Sequence, residues 1–210
     1  MFADKSWAWL LAFAAAYFLG ALNGAITVSR FFNNDDVRRH GSGNAGTTNV
    51  LRTYGKKEAA LTLGFDFLKT VAAILIAEWL VGRFGVAVGG VGATIGHAFP
   101  VYYGFKGGKA AVCSAASMLM LDWRIFLIIA AIFFGSFFIK RTASISTLLS
   151  AFVFPILTWL FYHHELPEPL AVSYVAFAVY ILVFVTWLHR GNIKRLLSGT
   201  ESSFSGRDKK

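Results

Sequence analysis

Apolar residues in this chain come in long, nearly charge-free blocks. They do not follow the two-residue period of a half-buried strand or the 3.6-residue period of a surface helix. A run of about 20 such residues is what a helix needs to cross the hydrocarbon of a bilayer. The chain is 56% hydrophobic and 15% charged, where an ordinary soluble domain is about 25% charged. The blocks therefore place the chain in a membrane.

Seven blocks are read as spans, at 6–29, 58–82, 86–104, 109–121, 123–139, 145–162 and 169–188. The fourth has 13 residues, short of the roughly 17 that ordinarily suffice, and is read as a half-helix or as a tilted segment continuous with the glycine-rich stretch before it. The first is too long for a signal-peptide core, and the charges before it, Asp4 and Lys5, cancel, so it is expected to be retained. The expected fold is an all-α integral membrane protein of seven transmembrane helices. It is read as one domain, 1–201, followed by a mobile basic tail, 202–210. Cys113 is the only cysteine, which excludes an internal disulfide.

The formal charge is +9, and the cations sit at the edges of the apolar blocks. Nucleic acid is thus a poorer expectation than anionic headgroups and anionic substrates. With seven spans the loops alternate into two groups. One holds sixteen cations: Arg30, Arg38, Arg39, Arg52, Lys56 and Lys57, then Lys106 and Lys109, then Lys140 and Arg141, then Arg190, Lys194, Arg195, Arg207, Lys209 and Lys210. The other holds three: Lys5, Arg83 and Arg124. Positive residues stay on the cytoplasmic side, so the N-terminus is expected outside and the C-terminus inside. Every polar or glycine-rich motif except the His163–His164 pair then falls on the cytoplasmic side of the plasma (inner) membrane.

Four groups could carry chemistry. The 41–52 loop reads Gly-Ser-Gly-Asn-Ala-Gly-Thr-Thr-Asn-Val-Leu-Arg. Gly41, Gly43 and Gly46 allow close backbone approach to a ligand. Ser42, Asn44, Thr47, Thr48 and Asn49 are neutral donors, and Arg52 offers a planar fork for phosphate oxygens. A solvated connector is the plain alternative. The second segment, 96–109, contains His97, Pro100, Lys106, Gly107, Gly108 and Lys109. It lacks the spacing of a Walker A loop. Two glycines and a lysine at a helix start nevertheless suit an anion, with cytoplasmic anchoring as the alternative for the lysines. His97 can equally be a packed histidine at the bend that Pro100 imposes.

The third group is His189, Asn192 and Arg195, spaced to share a helix face, or else part of a basic helix lying on anionic lipid. The fourth is Asp66 and Lys69, three apart inside the second span. There, ionisable residues are functional candidates or a mutual ion pair. Ser144, Ser146 and Thr147 open the sixth span, where capping would account for them. No histidine has an aspartate five positions on, the base-and-orienter pair of many glycerolipid acyltransferases. His163 and His164 lack a third ligand beyond their neighbouring glutamates, so no metal site is expected.

Taken together, Ser-Gly-Asn-x-Gly-x-Thr-Asn-Val-x-Arg, then Gly-His-x-x-Pro-Val followed by two aromatics and Gly-Phe-Lys-Gly-Gly-Lys, then His-Arg-x-Asn-Ile-x-Arg-Leu-x-x-Gly-x-Glu resemble the bacterial acyl-phosphate:glycerol-3-phosphate acyltransferase family, PlsY. The resemblance runs from about Gly20 to Glu201 and includes Asp66-Phe-Leu-Lys69. It implies a seven-span inner-membrane enzyme that moves a fatty acyl group from acyl phosphate to the 1-hydroxyl of glycerol 3-phosphate, releasing 1-acylglycerol 3-phosphate and phosphate. By position it places the catalytic roles on Ser42, Arg52, Lys109, His189 and Asn192.

Substrate and phosphate contacts are expected from Gly41, Gly43, Asn44, Gly46, Thr48, Asn49, Lys106, Gly107, Gly108, His97, Ser144 and Arg195. No cofactor and no metal are implied. The partners expected are the two substrates and membrane lipid, with the chain acting as a monomer. One departure stands out: Ala110 and Cys113 occupy positions where the family usually has glycine and threonine. Two rivals remain: a carrier for a phosphorylated small molecule, and a related acyltransferase with another donor. A carrier needs a polar route to both faces, and the outer halves of the spans carry almost no polar residues.

Overall fold

The computed structural model describes residues 6–203, so Asp4, Lys5 and most of the 202–210 tail lie outside the described residues. All regular structure among the described residues is helical. The chain divides between Leu121 and Asp122 into two compact units.

The first unit contains α1 (Ser6–Gly20), α2 (Gly24–Asn33), α3 (Thr47–Thr53), α4 (Lys56–Val81), α5 (Gly85–Ala98) and α6 (Ala111–Leu121). Small residues let its long helices approach closely. Ala8, Ala12, Ala16 and Gly20 form the buried stripe of α1; in α5, Gly92 and Gly96 lie against α1, and Gly85 and Gly89 against α4. A Cβ on Gly20 would collide with the Ala93 backbone, and one on Gly96 with the Tyr17 carbonyl oxygen. In a bilayer, where lipid tails are as apolar as the helices, such close packing is the main attraction between them.

The expected continuous span over 6–29 is broken at residues 21–23, and the ion pair in α4 explains why. Asn23 caps α2, its Oδ1 accepting the Ile26 amide at 3.1 Å. Lys69 Nζ donates to the Leu22 carbonyl at 2.7 Å, and Asp66 Oδ1 accepts the Gly24 amide at 3.0 Å. Backbone groups released by the break are thus satisfied by side chains more than 40 residues away, as burial requires.

The second unit contains α7 (Trp123–Lys140), α8 (Ala143–Tyr162), α9 (Glu168–Leu188) and the short α10 (Arg190–Leu197). Helix α8 packs between α7 and α9, and α10 folds against the end of α9. Asp122 caps α7 by accepting the Arg124 amide at 2.7 Å, and it also accepts the Tyr162 hydroxyl from the end of α8 at 2.7 Å.

Among the described residues, five helical stretches are long and apolar enough to cross a membrane: Ser6–Asn33, Lys56–Tyr103, Trp123–Lys140, Ala143–Tyr162 and Glu168–Leu188. Large apolar side chains face outward on them, including Trp79 at 83% exposure and Ile139 at 77%. The chain is a multi-pass membrane protein. Helix α6, at 11 residues, is about 16 Å long, roughly half the hydrocarbon thickness.

Candidate active site

In the first unit the 41–52 loop is built around Asn49. Its Nδ2 donates to the carbonyls of Val37 and His40, each at 3.0 Å, and its Oδ1 accepts the Ser42 amide at 3.0 Å. Gly41 sits at φ +54°, and a Cβ there would strike Asn49 Oδ1, so the turn needs glycine both for its conformation and for the close approach. Gly46 precedes the first turn of α3, and Asn44 lies beside it. Thr48 and Arg52 ride on α3, with Arg52 exposed. Ser42 and Gly43 are exposed at the tip. Thr47 Oγ1 is buried and has no hydrogen-bond partner among the described residues.

Arg38, which sequence reasoning did not single out, ties this loop to the 96–109 segment. Its Nε and Nη2 bind Asp36 at 2.9 and 2.7 Å, while Nη1 donates to the carbonyls of Tyr103 at 2.8 Å and Lys106 at 3.0 Å. The guanidinium holds the Asp36 carboxyl well below the usual carboxylate range. An acid two residues before an arginine, directly ahead of a glycine-rich turn, was the available signal. A cleft of about 580 Å³ opens here, lined by Arg30, Arg38, Arg39, Lys106, Gly43 and Gly107 among others.

The 96–109 segment turns at Pro100 as expected and then returns onto the end of α5. The amides of Gly107 and Gly108 donate to the carbonyls of Ala98 and His97, each at 3.1 Å. Lys109 does not begin a helix: Ala110 stands at φ +56° and α6 starts at Ala111. The alanine there carries the cost of a conformation that glycine adopts freely. Cys113 is fully buried, with Sγ 3.9 Å from the Asp66 carbonyl. His97 is buried beside Asp66 and Lys69, whose mutual ion pair measures 2.6 Å.

In the second unit the third motif gathers on Glu201. Its Oε1 accepts Asn192 Nδ2 at 2.6 Å and Ser144 Oγ at 2.8 Å, and its Oε2 accepts Arg195 Nε at 2.7 Å. Ser144, Asn192 and Arg195 are thereby brought together, and Ser144 is not a cap: residue 142 precedes α8 without a side-chain capping bond. Burial alone would raise the Glu201 pKa, but these three bonds outweigh it and hold the carboxyl below its ordinary value. His189 lies at the junction of α9 and α10, 4% exposed, with Nδ1 2.8 Å from the Val185 carbonyl. A carbonyl only accepts, so Nδ1 carries the proton and the neutral ring has its lone pair on Nε2.

A multi-pass helical membrane protein whose polar loops join glycine turns to arginines and lysines is built to handle an anionic substrate beside a bilayer. The sequence model of the glycerol-3-phosphate acyltransferase family matches residues 10–199, and the chain belongs to that family.

Among relatives, the glycerol-3-phosphate acyltransferase of Rhodopseudomonas palustris (strain BisB5) is 39% identical over 194 residues, covering 92% of this chain and 95% of its own. That of Agrobacterium fabrum (strain C58) is 41% identical over 196 residues, covering 92% and 91%. The fold is similar to the crystal structure of PlsY, an integral membrane glycerol 3-phosphate acyltransferase. Its glycerol 3-phosphate form gives a TM-score of 0.83 at 30% identity, covering 94% of this chain and 96% of that one. Its lysophosphatidic acid form gives 0.81 at 29%, covering 94% and 95%.

Proposed function

We propose that this acyltransferase takes its acyl group from acyl phosphate. It passes the group to the 1-hydroxyl of glycerol 3-phosphate and releases 1-acylglycerol 3-phosphate and inorganic phosphate. The observation that carries the donor assignment is the state of the carboxylates. Asp36 is committed to Arg38 and Arg30, Asp35 to Tyr54 and His40, Asp66 to Lys69, and Glu201 to Arg195, Asn192 and Ser144. None of these is set up as a general base. An acyl phosphate is already activated and needs none, because phosphate leaves readily and its oxygens can take the hydroxyl proton. The remaining work is to hold two dianions in register, which cations and oriented donors do.

In this reading Ser42, the glycine turns, Thr48, Arg52, Lys106 and Lys109 hold phosphate, and the buried Thr47 hydroxyl is a further donor for it. His189 and Asn192 orient glycerol 3-phosphate, with Ser144 and Arg195 completing that group through Glu201. The acyl chain enters sideways from the lipid. The chain acts as a monomer with a single domain, 1–201. It crosses the plasma (inner) membrane seven times, with the N-terminus outside, the C-terminus inside, and the chemistry on the cytoplasmic face.

Purified protein assayed for phosphate release with acyl phosphate and glycerol 3-phosphate tests the donor. Turnover should require both substrates, and acyl-CoA should not replace acyl phosphate. Comparable turnover with acyl-CoA under matched conditions would refute the donor assignment.

A further inference from the structure

Three ionisable side chains are packed into the first unit, out of contact with solvent. Asp66 Oδ1 lies 2.6 Å from Lys69 Nζ and 3.4 Å from His97 Nδ1, and Lys69 Nζ lies 3.1 Å from the same ring nitrogen. Their side chains are 1–4% exposed. Burying such a group is expensive, and well-packed apolar residues commonly serve stability as well or better. A role beyond stability is therefore worth seeking in what the three groups hold.

They hold backbone from both glycine-rich loops. Asp66 and Lys69 fix residues 22 and 24, as described above, and so fix Asn23 between them. Asn23 is fully buried, and its Nδ2 donates to the Ala45 carbonyl at 3.2 Å, in the middle of the 41–52 loop. On the other side, the His97 carbonyl accepts the Gly108 amide, and the His97 ring lies flush against Gly108. A methyl group on Gly108 would collide with His97 Nε2, and it would stand 2.5 Å from the Ala45 oxygen. Both loops are thus registered against one buried point, and they meet at Gly108, the residue before Lys109.

A second, independent observation bears on Lys109. Ala110, directly after it, is held at φ +56°, a conformation an alanine does not choose. The path of the chain through Lys109 is imposed by its surroundings, and the surroundings on its N-terminal side are His97 and Ala45.

We propose that Asp66, Lys69 and His97 form a positioning unit that sets where the Lys109 ammonium stands, and that His97 acts through Gly108 rather than by touching substrate. This rests on the reading that Lys109 holds a substrate phosphate. The unit spends its buried charges on loop geometry, so the loss of its polar contacts should show in turnover more than in folding.

The test is a double-mutant cycle on the full chain, reading kcat and KM for each substrate together with Tm. His97→Leu, apolar and of similar size, should leave Tm within a few degrees of the parent or above it, yet lower kcat/KM about 10–100-fold. In a Lys109→Arg background, where the cation is already displaced, the same change should cost less than about threefold, because residues acting as one unit are not additive. If His97→Leu does not fold, His97→Asn carries the test: it keeps a polar partner for Lys69 but removes the ring from Gly108, and the same two factors are expected. Equal losses in both backgrounds, or His97→Leu activity within threefold of the parent, would overturn the inference alone. Parental rates in Lys109→Ala would instead remove the reading of Lys109, and this inference with it.

Discussion

Asn192 donates to Glu201 at 2.6 Å, and through that carboxylate it is joined to Ser144 and Arg195. The asparagine proposed to orient glycerol 3-phosphate has its own amide held by an acid nine residues further along the chain. Glu201→Gln keeps the shape but presents an amide nitrogen to one of three donors. Hydrogen bonds to charged groups contribute about 1.5–3 kcal/mol, less for Arg195 because its side chain is 43% exposed. We expect kcat/KM to fall about 10–100-fold.

The same residue has a pH signature. Its folded pKa is depressed, so its contribution to stability is present above the ordinary value of 4.5 and is lost as pH falls below it. Thermal unfolding followed from pH 7 down to about 4 should show the parent losing more stability than Glu201→Gln over the acidic end of that range. Parallel curves would remove the carboxylate's role.

Arg52 and Lys109 are expected to be indispensable. Replacing either by alanine should nearly abolish phosphate release while leaving folded protein in the membrane. Arg52→Lys should also be poor, since an ammonium cannot reproduce the planar fork. A near-normal rate in either alanine variant would return that residue to a role in membrane anchoring.

Ala110 gives a prediction of opposite character. Its left-handed backbone costs an alanine roughly 1–2 kcal/mol, more than the roughly 0.4–1 kcal/mol that glycine gives up through its freer unfolded chain. Ala110→Gly should therefore leave stability unchanged or raise it by about 1 kcal/mol, and keep full activity. Ala110→Val, β-branched at positive φ, should be strongly destabilised or inactive. Thermal melts of the three proteins decide the matter; a Val variant as stable as the parent would show the conformation to be wrong.

Sidedness is checked by labelling. Single cysteines placed at residues 42–52 in a Cys113→Ala background should react only when the reagent reaches the cytoplasmic face. Labelling from outside would sink both the proposed orientation and the placement of the site.

What could be read from the sequence follows its physics. Apolar blocks at 58–82, 123–139, 145–162 and 169–188 predict α4, α7, α8 and α9 to within two residues, because a lipid-facing helix must be apolar along its length. The break at Leu22–Asn23 was not legible. Asn23 lies in an apolar run, and the side chains that satisfy its neighbours, Asp66 and Lys69, come from a helix more than 40 residues away. The motif residues announced themselves by type and spacing. What holds them did not: Arg38 works on carbonyls at 103 and 106, and Glu201 on a serine at 144, pairings that only the tertiary structure creates.

Proton transfer gives the last prediction. The Val185 carbonyl fixes the proton of neutral His189 on Nδ1, which makes Nε2 the acceptor nitrogen of the ring, the atom that would act as a base or orient the hydroxyl. The carboxylate that would stabilise an imidazolium in a triad is replaced here by a backbone carbonyl, a weaker partner for a charge that must develop. A substrate phosphate oxygen, by contrast, is an anionic base delivered with the reaction. We therefore expect His189 to orient rather than to deprotonate. His189→Gln keeps a donor and an acceptor but cannot gain a proton. It should retain measurable turnover, with a pH–rate profile of unchanged shape. A general base lost at this position would instead cost about 10²–10⁴-fold and delete one limb of the profile. A folded His189→Gln protein with that loss and that missing limb would overturn the substrate-assisted route while leaving the acyl transfer itself intact.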